Sequence, residues 1–392
     1  MVDFSLPPEL EDLQRRTRAF AAEQMRPLAR EYDGKEHAIP HGFLAEARKR
    51  RIHRPEPGVG LSSMEAAVFA EELAWGDPGL LRTLPGTGLA GVAITVGATA
   101  EQREKFLAPF KGEAWGCMAM TEPGAGSDTS SIRTTARREG DSWVLNGEKV
   151  FASNADLALD RGVTVVWAKI LPPGARSIDE VEGHMAMAAF VVPARTPGAR
   201  VTKIEKKMGL KAAHTCVLVL EECRIPAENR LGGDGEEAGF GKAMATFNAN
   251  RPVIVAAGLG SVRAAVELLH QHLRPRYGLA PGKLSAAERD LMRMEARYRA
   301  ARLLAWRACW LVDRNRPHAL EASMAKALGG TVVSECTQLA CELLGPLGVS
   351  EKLLAEKWMR DVKVTDIFEG TGQINRLIVA RQILGYGRKE LK

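Results

Sequence analysis

The sequence predicts an α+β protein with an N-terminal α-helical domain, a middle β-domain of the small barrel or sandwich type, and a C-terminal four-helix bundle. Three observations support this order: charge-rich helical segments up to residue 114, β-branched runs with turn pairs after Trp115, and long alanine- and leucine-rich segments after residue 235. A length of 392 residues suits about two or three domains. We therefore place the domains at 1–114, 115–234 and 235–392.

The N-terminal domain is predicted to be mainly helical. From residue 8 to residue 32, apolar positions such as Leu10 and Leu13 alternate with dense charge, which predicts a long surface helix. Two further helices are expected at 62–75, after the start signals Ser62 and Ser63, and at 100–110, where Thr99 is a suitable N-cap.

The middle domain shows the alternation that is typical of strands. Short runs rich in Val, Ile, Thr and aromatic residues are separated by turn residues. Asn146-Gly147 lies between two such runs and predicts a β-hairpin. The segment 171–183 is rich in proline, glycine and charge, so we expect an exposed loop there.

The C-terminal domain contains four segments with helical periodicity, at 237–273, 285–313, 317–344 and 350–367. The breaks between them contain glycine or proline. Antiparallel helices joined by short connections form a bundle, and we expect this bundle to support the chemistry described below.

The composition argues against several classes of protein. The formal net charge is +6, but basic and acidic residues are interleaved, so no nucleic-acid surface is predicted. The six cysteines form no C-x-x-C pair and no zinc spacing, which predicts reduced thiols in a cytoplasmic protein without a metal site. The start lacks a signal-peptide layout and no apolar run of ~18 residues is uninterrupted, so neither export nor a membrane span is expected.

The segment 366–376, which reads D-I-F-E-G-T-G-Q-I-N-R, carries the strongest chemical signal. Glu369 follows a helix-like run that ends at Phe368, and Gly370 and Gly372 free the backbone to approach a ligand. Thr371 can cap the next helix, so the acid sits on a fixed corner that suits a general base. The alternative is an ordinary acidic residue in the first turn of a helix, where the macrodipole favours negative charge.

A second motif, M-T-E-P-G-A-G-S-D at 120–128, opens the middle domain. Its glycines and hydroxyl groups let backbone N–H groups and side-chain oxygens reach a polar ring or a phosphate. Alone, it could be a surface loop. Together with the segment around Glu369, it resembles the acyl-CoA dehydrogenase family, and the resemblance covers nearly the whole chain.

The resemblance implies FAD as the cofactor. It places the flavin against the 120–128 motif and against F-A-S-N at 151–154, where the family usually has W-[IV]-[ST]-N. A phenylalanine can stack as tryptophan does but lacks the indole donor. The cofactor-binding residues implied in this way are Met120, Thr121, Gly126, Ser127, Phe151, Ser153, Arg274, Tyr277, Glu342, Gly345, Thr371 and Gln373.

Some of these residues are expected to act on the FAD of a neighbouring subunit, which implies a homodimer or homotetramer. Arg274 and Tyr277 belong to R-P-R-Y-G, close to the family's R-x-x-F-G. The family's Q-x-x-G-G reads E-L-L-G-P from Glu342 to Pro346, which adds a negative charge and removes an N–H. The alternative is therefore a partner subunit of a mixed oligomer with a paralogous chain, in which this chain binds FAD weakly.

The resemblance also implies the reaction, the α,β-dehydrogenation of an acyl-CoA thioester, with an electron-transferring flavoprotein as electron acceptor. Glu369 is then the base, because Asn250 stands where some relatives keep theirs and cannot take a proton. A thioester on a carrier protein, or a flavin oxidase or monooxygenase on the same scaffold, are alternatives. The implied substrate-binding residues are Ser127, Asn248, Arg251, Phe368 and Gly370.

Overall fold

A computed structural model describes residues 5–53, 60–183, 185–233, 239–273, 284–387 and 390. The N-terminal part is helical, as predicted. Its helices are α1 (Pro8–Phe20), α2 (Ala29–Gly34), α3 (His41–Lys49), α4 (Ser63–Gly76), α5 (Pro78–Thr83), α6 (Gly88–Gly97) and α7 (Ala100–Leu107).

Side chains at the helix starts explain several of these boundaries. Ser62 accepts from the Glu65 backbone at 3.1 Å and donates its own backbone N–H to the Glu65 carboxylate at 2.7 Å, a complete capping box for α4. Asp77 caps α5 by accepting from the Leu80 N–H at 2.7 Å. The long helix predicted at 8–32 is instead interrupted between α1 and α2, by a π-turn and a 3₁₀ turn that contains Pro27, which has no N–H to continue the ladder.

The middle part is a β half-barrel with one short helix. Within the described residues, seven strands form one sheet in the order β1-β4-β2-β3-β7-β6, and β5 pairs with β4. The elements are β1 (Trp115–Ala119), β2 (Thr135–Glu139), β3 (Ser142–Ser153), α8 (Ala155–Arg161), β4 (Gly162–Ile170), β5 (Met187–Pro193), β6 (Ala199–Ile204) and β7 (Thr215–Pro226).

The hairpin predicted at Asn146-Gly147 is wrong. β3 runs straight through this dipeptide, and the turn that reverses the chain lies between Glu139 and Ser142. Gly147 instead marks an irregularity in the pairing of β3 with β7. A Cβ at Gly147 would lie 2.5 Å from the Thr134 hydroxyl, and its φ is +150°, so the glycine is needed for close approach within the sheet.

The C-terminal part is helical, which confirms the predicted α/β/α order. The segment predicted at 350–367 is not one helix, because α12 ends at Val362 and a 3₁₀ turn follows. The helices are α9 (Gly239–Leu273), α10 (Ala286–Asp313), α11 (Ala319–Leu344), α12 (Ala355–Val362) and α13 (Gly372–Leu384). The domain boundaries at 114 and 234 stay predictions.

Helix α9 is the central element of the C-terminal part. From Gly241 to Leu273 it is long and apolar enough to cross a membrane by length and composition, but 83% of its most apolar window is buried inside the fold. It packs against α10 and α11, and also against α4 of the N-terminal part. One hydrophobic cluster joins N-terminal helices, sheet strands and α9, so all three parts share core contacts. These shared core contacts hold the three parts in fixed positions around the candidate site.

Candidate active site

The candidate site is built around the chain between the 3₁₀ turn that follows α12 and the start of α13. Glu369 and Gly370 both adopt left-handed backbone conformations, with φ of +55° and +95°. Such a conformation is costly for a residue with a side chain and is typical of a functional position. A Cβ on Gly370 would lie 3.0 Å from the Arg251 guanidinium, so the glycine allows that side chain to pass. Thr371 caps α13 by accepting from the Ile374 N–H at 3.3 Å, as predicted.

Two adjacent residues of α9 hold Glu369. The side-chain amide of Asn250 donates to the Glu369 carboxylate, with 2.8 Å between Nδ2 and Oε1. The Arg251 guanidinium donates to the Glu369 backbone carbonyl at 3.0 Å and to the Asn248 side chain at 2.6 Å. Arg251 is only 2% exposed. It therefore lies beneath the joint as a support, and its predicted contact with the acyl-CoA stays a prediction.

A buried lysine of α11 completes the support. The Lys326 ammonium donates to the Gly370 carbonyl at 3.0 Å, and the Asn375 side chain donates to the same oxygen at 2.8 Å. Burial lowers the pKa of Lys326 from 10.5 to about 8, although Glu369 and Asp366 partly oppose this. Burial likewise lowers the pKa of Arg251 from 12.5 to about 10. Two cationic side chains thus bond the successive backbone carbonyls of Glu369 and Gly370.

The second motif lies against the end of β3. The Val150 N–H donates to the Thr121 carbonyl at 2.8 Å, and the buried Lys149 ammonium donates to the Met120 carbonyl at 3.0 Å and to Glu122 at 2.7 Å. The next residue, Phe151, has a φ of +58° and leaves 64% of its surface exposed. An aromatic ring held outward on a strained backbone is a suitable stacking surface for a planar ligand.

Arg82 of α5 connects the end of β3 with the segment around Glu369. The backbone carbonyl of Arg82 accepts a hydrogen bond from the side chain of Asn154, the residue after Ser153, at 2.9 Å. The guanidinium carbon of Arg82 lies 5.0 Å from the centre of the ring of Phe368, the residue before Glu369. Arg82 therefore contacts both the end of β3 and the segment that carries Glu369.

The residues present fit a flavin. Ser127 and Ser153 are both exposed, so their hydroxyls are accessible to a polar ring edge. Nothing lies within 4 Å of a Cβ built on Gly126, which leaves the backbone of this loop open to close approach. Gln373 is exposed in the first turn of α13. These observations suit the isoalloxazine and its flanking groups.

Other predicted residues lie apart from this site. Arg274 and Tyr277 fall outside the described residues. Glu342 is exposed near the end of α11 and Gly345 follows that helix. Glu342 comes sixteen residues after Lys326, which is about 24 Å along a helix axis. The separation suits the expectation that this segment serves a neighbouring subunit, and that role stays a prediction.

Arg82 and Lys326 were not found by the sequence reasoning. No local sequence pattern marks Arg82, because its contacts depend on where α5 packs in the folded protein. Lys326 did leave a signal, since it is a lone charge in the apolar run A-S-M-A-K-A-L-G-G, and a charge in a buried helix needs a partner.

We expect the stability of the protein relative to its Lys326→Met variant to rise with pH. Between pH 8 and 10.5 the folded protein has released the Lys326 proton while the unfolded chain still holds it, so stability increases over that range. The gain should approach roughly 3 kcal/mol. Urea unfolding of both proteins at pH 7.5 and pH 10 measures it, with Lys352→Met as the control for an exposed lysine. A constant difference between the two proteins would show that Lys326 titrates normally.

Comparisons with known proteins identify the family of this chain. Family models match the N-terminal domain of acyl-CoA dehydrogenases at residues 7–112, the middle domain at 117–223 and the C-terminal domain at 237–384. The mitochondrial short-chain specific acyl-CoA dehydrogenase of Rattus norvegicus is 34% identical over 388 residues, which cover 96% of this chain and 90% of the relative.

Two solved structures are similar over nearly the whole chain. The butyryl-CoA dehydrogenase from Megasphaera elsdenii superposes with a TM-score of 0.86 at 29% identity, covering 98% of this chain and 100% of that one. A structure described as the electron transferring flavoprotein of Acidaminococcus fermentans gives a TM-score of 0.84 at 29% identity, with coverage of 98% of this chain and 100% of that one. This chain therefore belongs to the acyl-CoA dehydrogenase family of oxidoreductases.

Proposed function

We propose that this enzyme dehydrogenates a short-chain acyl-CoA at its α and β carbons, and that Glu369 removes the α-proton. The observation that carries the proposal is the placement of Glu369. Its carboxylate is held by Asn250 and its backbone by Arg251, and Arg82 ties this joint to the exposed Phe151 ring. An acid fixed beside a flavin-binding surface is what the reaction requires of its base.

FAD is the cofactor, and when bound it supplies the hydride acceptor for the β-carbon. We propose that Phe151 stacks on the flavin and that the hydroxyls of Ser127 and Ser153 donate hydrogen bonds to the polar edge of the flavin. We also propose that the Glu369 backbone N–H donates to the thioester carbonyl. A preorganised donor to a developing oxyanion typically contributes about 3–4 kcal/mol to lowering the barrier.

The substrate class and the electron acceptor belong to the same proposal. A short acyl chain is supported by the rat short-chain enzyme and by the butyryl-CoA dehydrogenase, two of the proteins that this chain resembles. An electron-transferring flavoprotein is the proposed acceptor, and a homotetramer or homodimer the proposed assembly. The cytoplasmic location predicted from the sequence stays a prediction, and the rat relative is named as mitochondrial.

We expect Phe151→Ala to weaken FAD binding by about tenfold or more, because the variant loses both the apolar area of the ring and a stacking contact that is typically worth about 1 kcal/mol. Phe151→Trp should retain FAD. The ratio of flavin to protein absorbance, measured after dialysis against FAD-free buffer, provides the test. If Phe151→Ala keeps as much flavin as the parent, Phe151 does not stack on the flavin.

The proposed function is tested by anaerobic bleaching of the flavin. We expect butyryl-CoA to bleach the yellow protein faster than octanoyl-CoA or palmitoyl-CoA, and Glu369→Gln to stay yellow with all three. Bleaching by the long chains alone would overturn the substrate class. Bleaching by none of the three thioesters would overturn the reaction.

A second candidate function is favoured by the segment from Glu342 to Pro346. In the family, the backbone of this segment lies close to FAD. Here the segment has an exposed acid, Glu342, and a proline, Pro346, which has no N–H to donate. In this alternative the chain is one subunit of a mixed oligomer and does not retain FAD alone. Colourless protein that becomes yellow only when a paralogous chain is co-expressed would favour it over the self-sufficient enzyme.

A further inference from the structure

Asn250 contacts the catalytic joint from a distant part of the sequence. It lies 119 residues before Glu369 and is 3% exposed, within the buried face of α9. An ionised carboxylate can only accept hydrogen bonds, so the amide nitrogen of Asn250 is the donor in the 2.8 Å contact. A hydrogen bond of this kind is shielded from water and charge-assisted, which makes it stronger than an exposed neutral one.

The charged groups around the joint act on other atoms. Arg251 of α9 bonds the Glu369 carbonyl, Lys326 of α11 bonds the Gly370 carbonyl, and Arg82 of α5 faces the Phe368 ring. Asp366, from the turn that precedes the joint, acts on Lys326. Asn250 differs from these groups because it contacts an oxygen of the Glu369 carboxylate itself.

We propose that Asn250 is a positioning residue that orients the Glu369 carboxylate and favours its ionised form, and so sets the pH above which the enzyme turns over. The inference rests on the proposed role of Glu369 as the base. Removing the donor would make protonation of Glu369 easier, because hydrogen bonding to a charged form stabilises that form. An acid at position 250 would add a like charge at the same distance and favour protonation further.

The first test is the pH profile of kcat/KM, which reports the essential groups of the free enzyme. With butyryl-CoA as the probe and a dye as acceptor, we expect the acid limb to move up by about one pH unit in Asn250→Ala. In Asn250→Asp we expect a larger upward shift. Thr246→Ala is the matched control, since Thr246 is buried one turn earlier on α9 and its hydroxyl donates to the Lys242 carbonyl at 2.9 Å. Its acid limb should not move.

The second test needs no turnover. The protonated carboxyl band of Glu369 is followed by infrared spectroscopy against pH in the parent and in both Asn250 variants, and Glu369→Gln identifies the band. We expect the midpoint to rise in the same order as the acid limb, at unchanged FAD content. A purely structural role would instead lower FAD content and thermal stability and leave the midpoint in place.

The outcomes separate this inference from the proposed function. If Glu369→Gln still turns over, the base is wrongly assigned, and the infrared midpoints continue to test the contact between Asn250 and Glu369. If Glu369→Gln is inactive while neither the acid limb nor the midpoint moves in Asn250→Ala and Asn250→Asp, the base is right and the positioning role of Asn250 is overturned.

Discussion

Glu369→Gln is expected to lower kcat by about 10²- to 10⁴-fold, the usual contribution of a positioned base. Glutamine has the same shape, and its amide oxygen can still accept from Asn250, so the joint should keep its geometry. The flavin should therefore stay bound. Stopped-flow reduction of the FAD by butyryl-CoA measures the chemical step directly.

The control for this substitution is Glu351→Gln, an exposed glutamate of the same C-terminal part. We expect it to reduce the flavin at the parent rate. Rapid flavin reduction in Glu369→Gln would contradict the assignment. Loss of the yellow colour would point instead to a structural role for the acid.

Lys357→Met is expected to have the largest effect on stability. The Lys357 ammonium lies 2.5 Å from Asp77 of the α5 N-terminus and 2.5 Å from Asp361 of its own helix, and all three are buried. Burial alone would lower the pKa of Lys357, but the carboxylates of Asp361 and Asp77 raise it well above its ordinary value. Removing the cation leaves two buried carboxylates without their partner, which typically costs about 3–5 kcal/mol.

The measurement is urea unfolding at pH 7, with Lys352→Met as the exposed control. Lys352→Met should unfold within about 0.5 kcal/mol of the parent. We also expect Lys357→Met to lose activity before it unfolds, because Asp77 caps the helix that carries Arg82. Equal stability of the two variants would show that the buried carboxylates find other partners or take up protons at little cost.

Much of this molecule could be predicted from local patterns. The order of helical and β segments was confirmed because periodicity and turn residues act over a few neighbouring positions. A break in the helices at Glu369 was predicted from the glycines that follow it, but the left-handed backbone of Glu369 itself was not. The supporting contacts of Arg82 and Lys326 could not be predicted, since they depend on how α5 and α11 pack against residues far away in the sequence.

The hairpin error has a similar cause. Asn-Gly is a strong turn signal in an isolated strand pair, but Gly147 is used to let β3 pass the Thr134 side chain inside a larger sheet. An Asn-Gly dipeptide can therefore form a turn or allow close packing within a strand, and the outcome depends on the neighbouring strands. The interrupted fourth helix reflects the site as well, because the chain must leave helical geometry before Glu369 can take its left-handed conformation.

That left-handed conformation has an evolutionary consequence. A glutamate at φ +55° carries a backbone cost of about 1–3 kcal/mol that a glycine would not carry. Either glutamate codon becomes a glycine codon by one nucleotide change, so the inactive Glu369→Gly variant is within one mutation. That variant would be relieved of the backbone cost, while the buried Asn250 amide would lose its partner. A continuing demand for the reaction acts against this change.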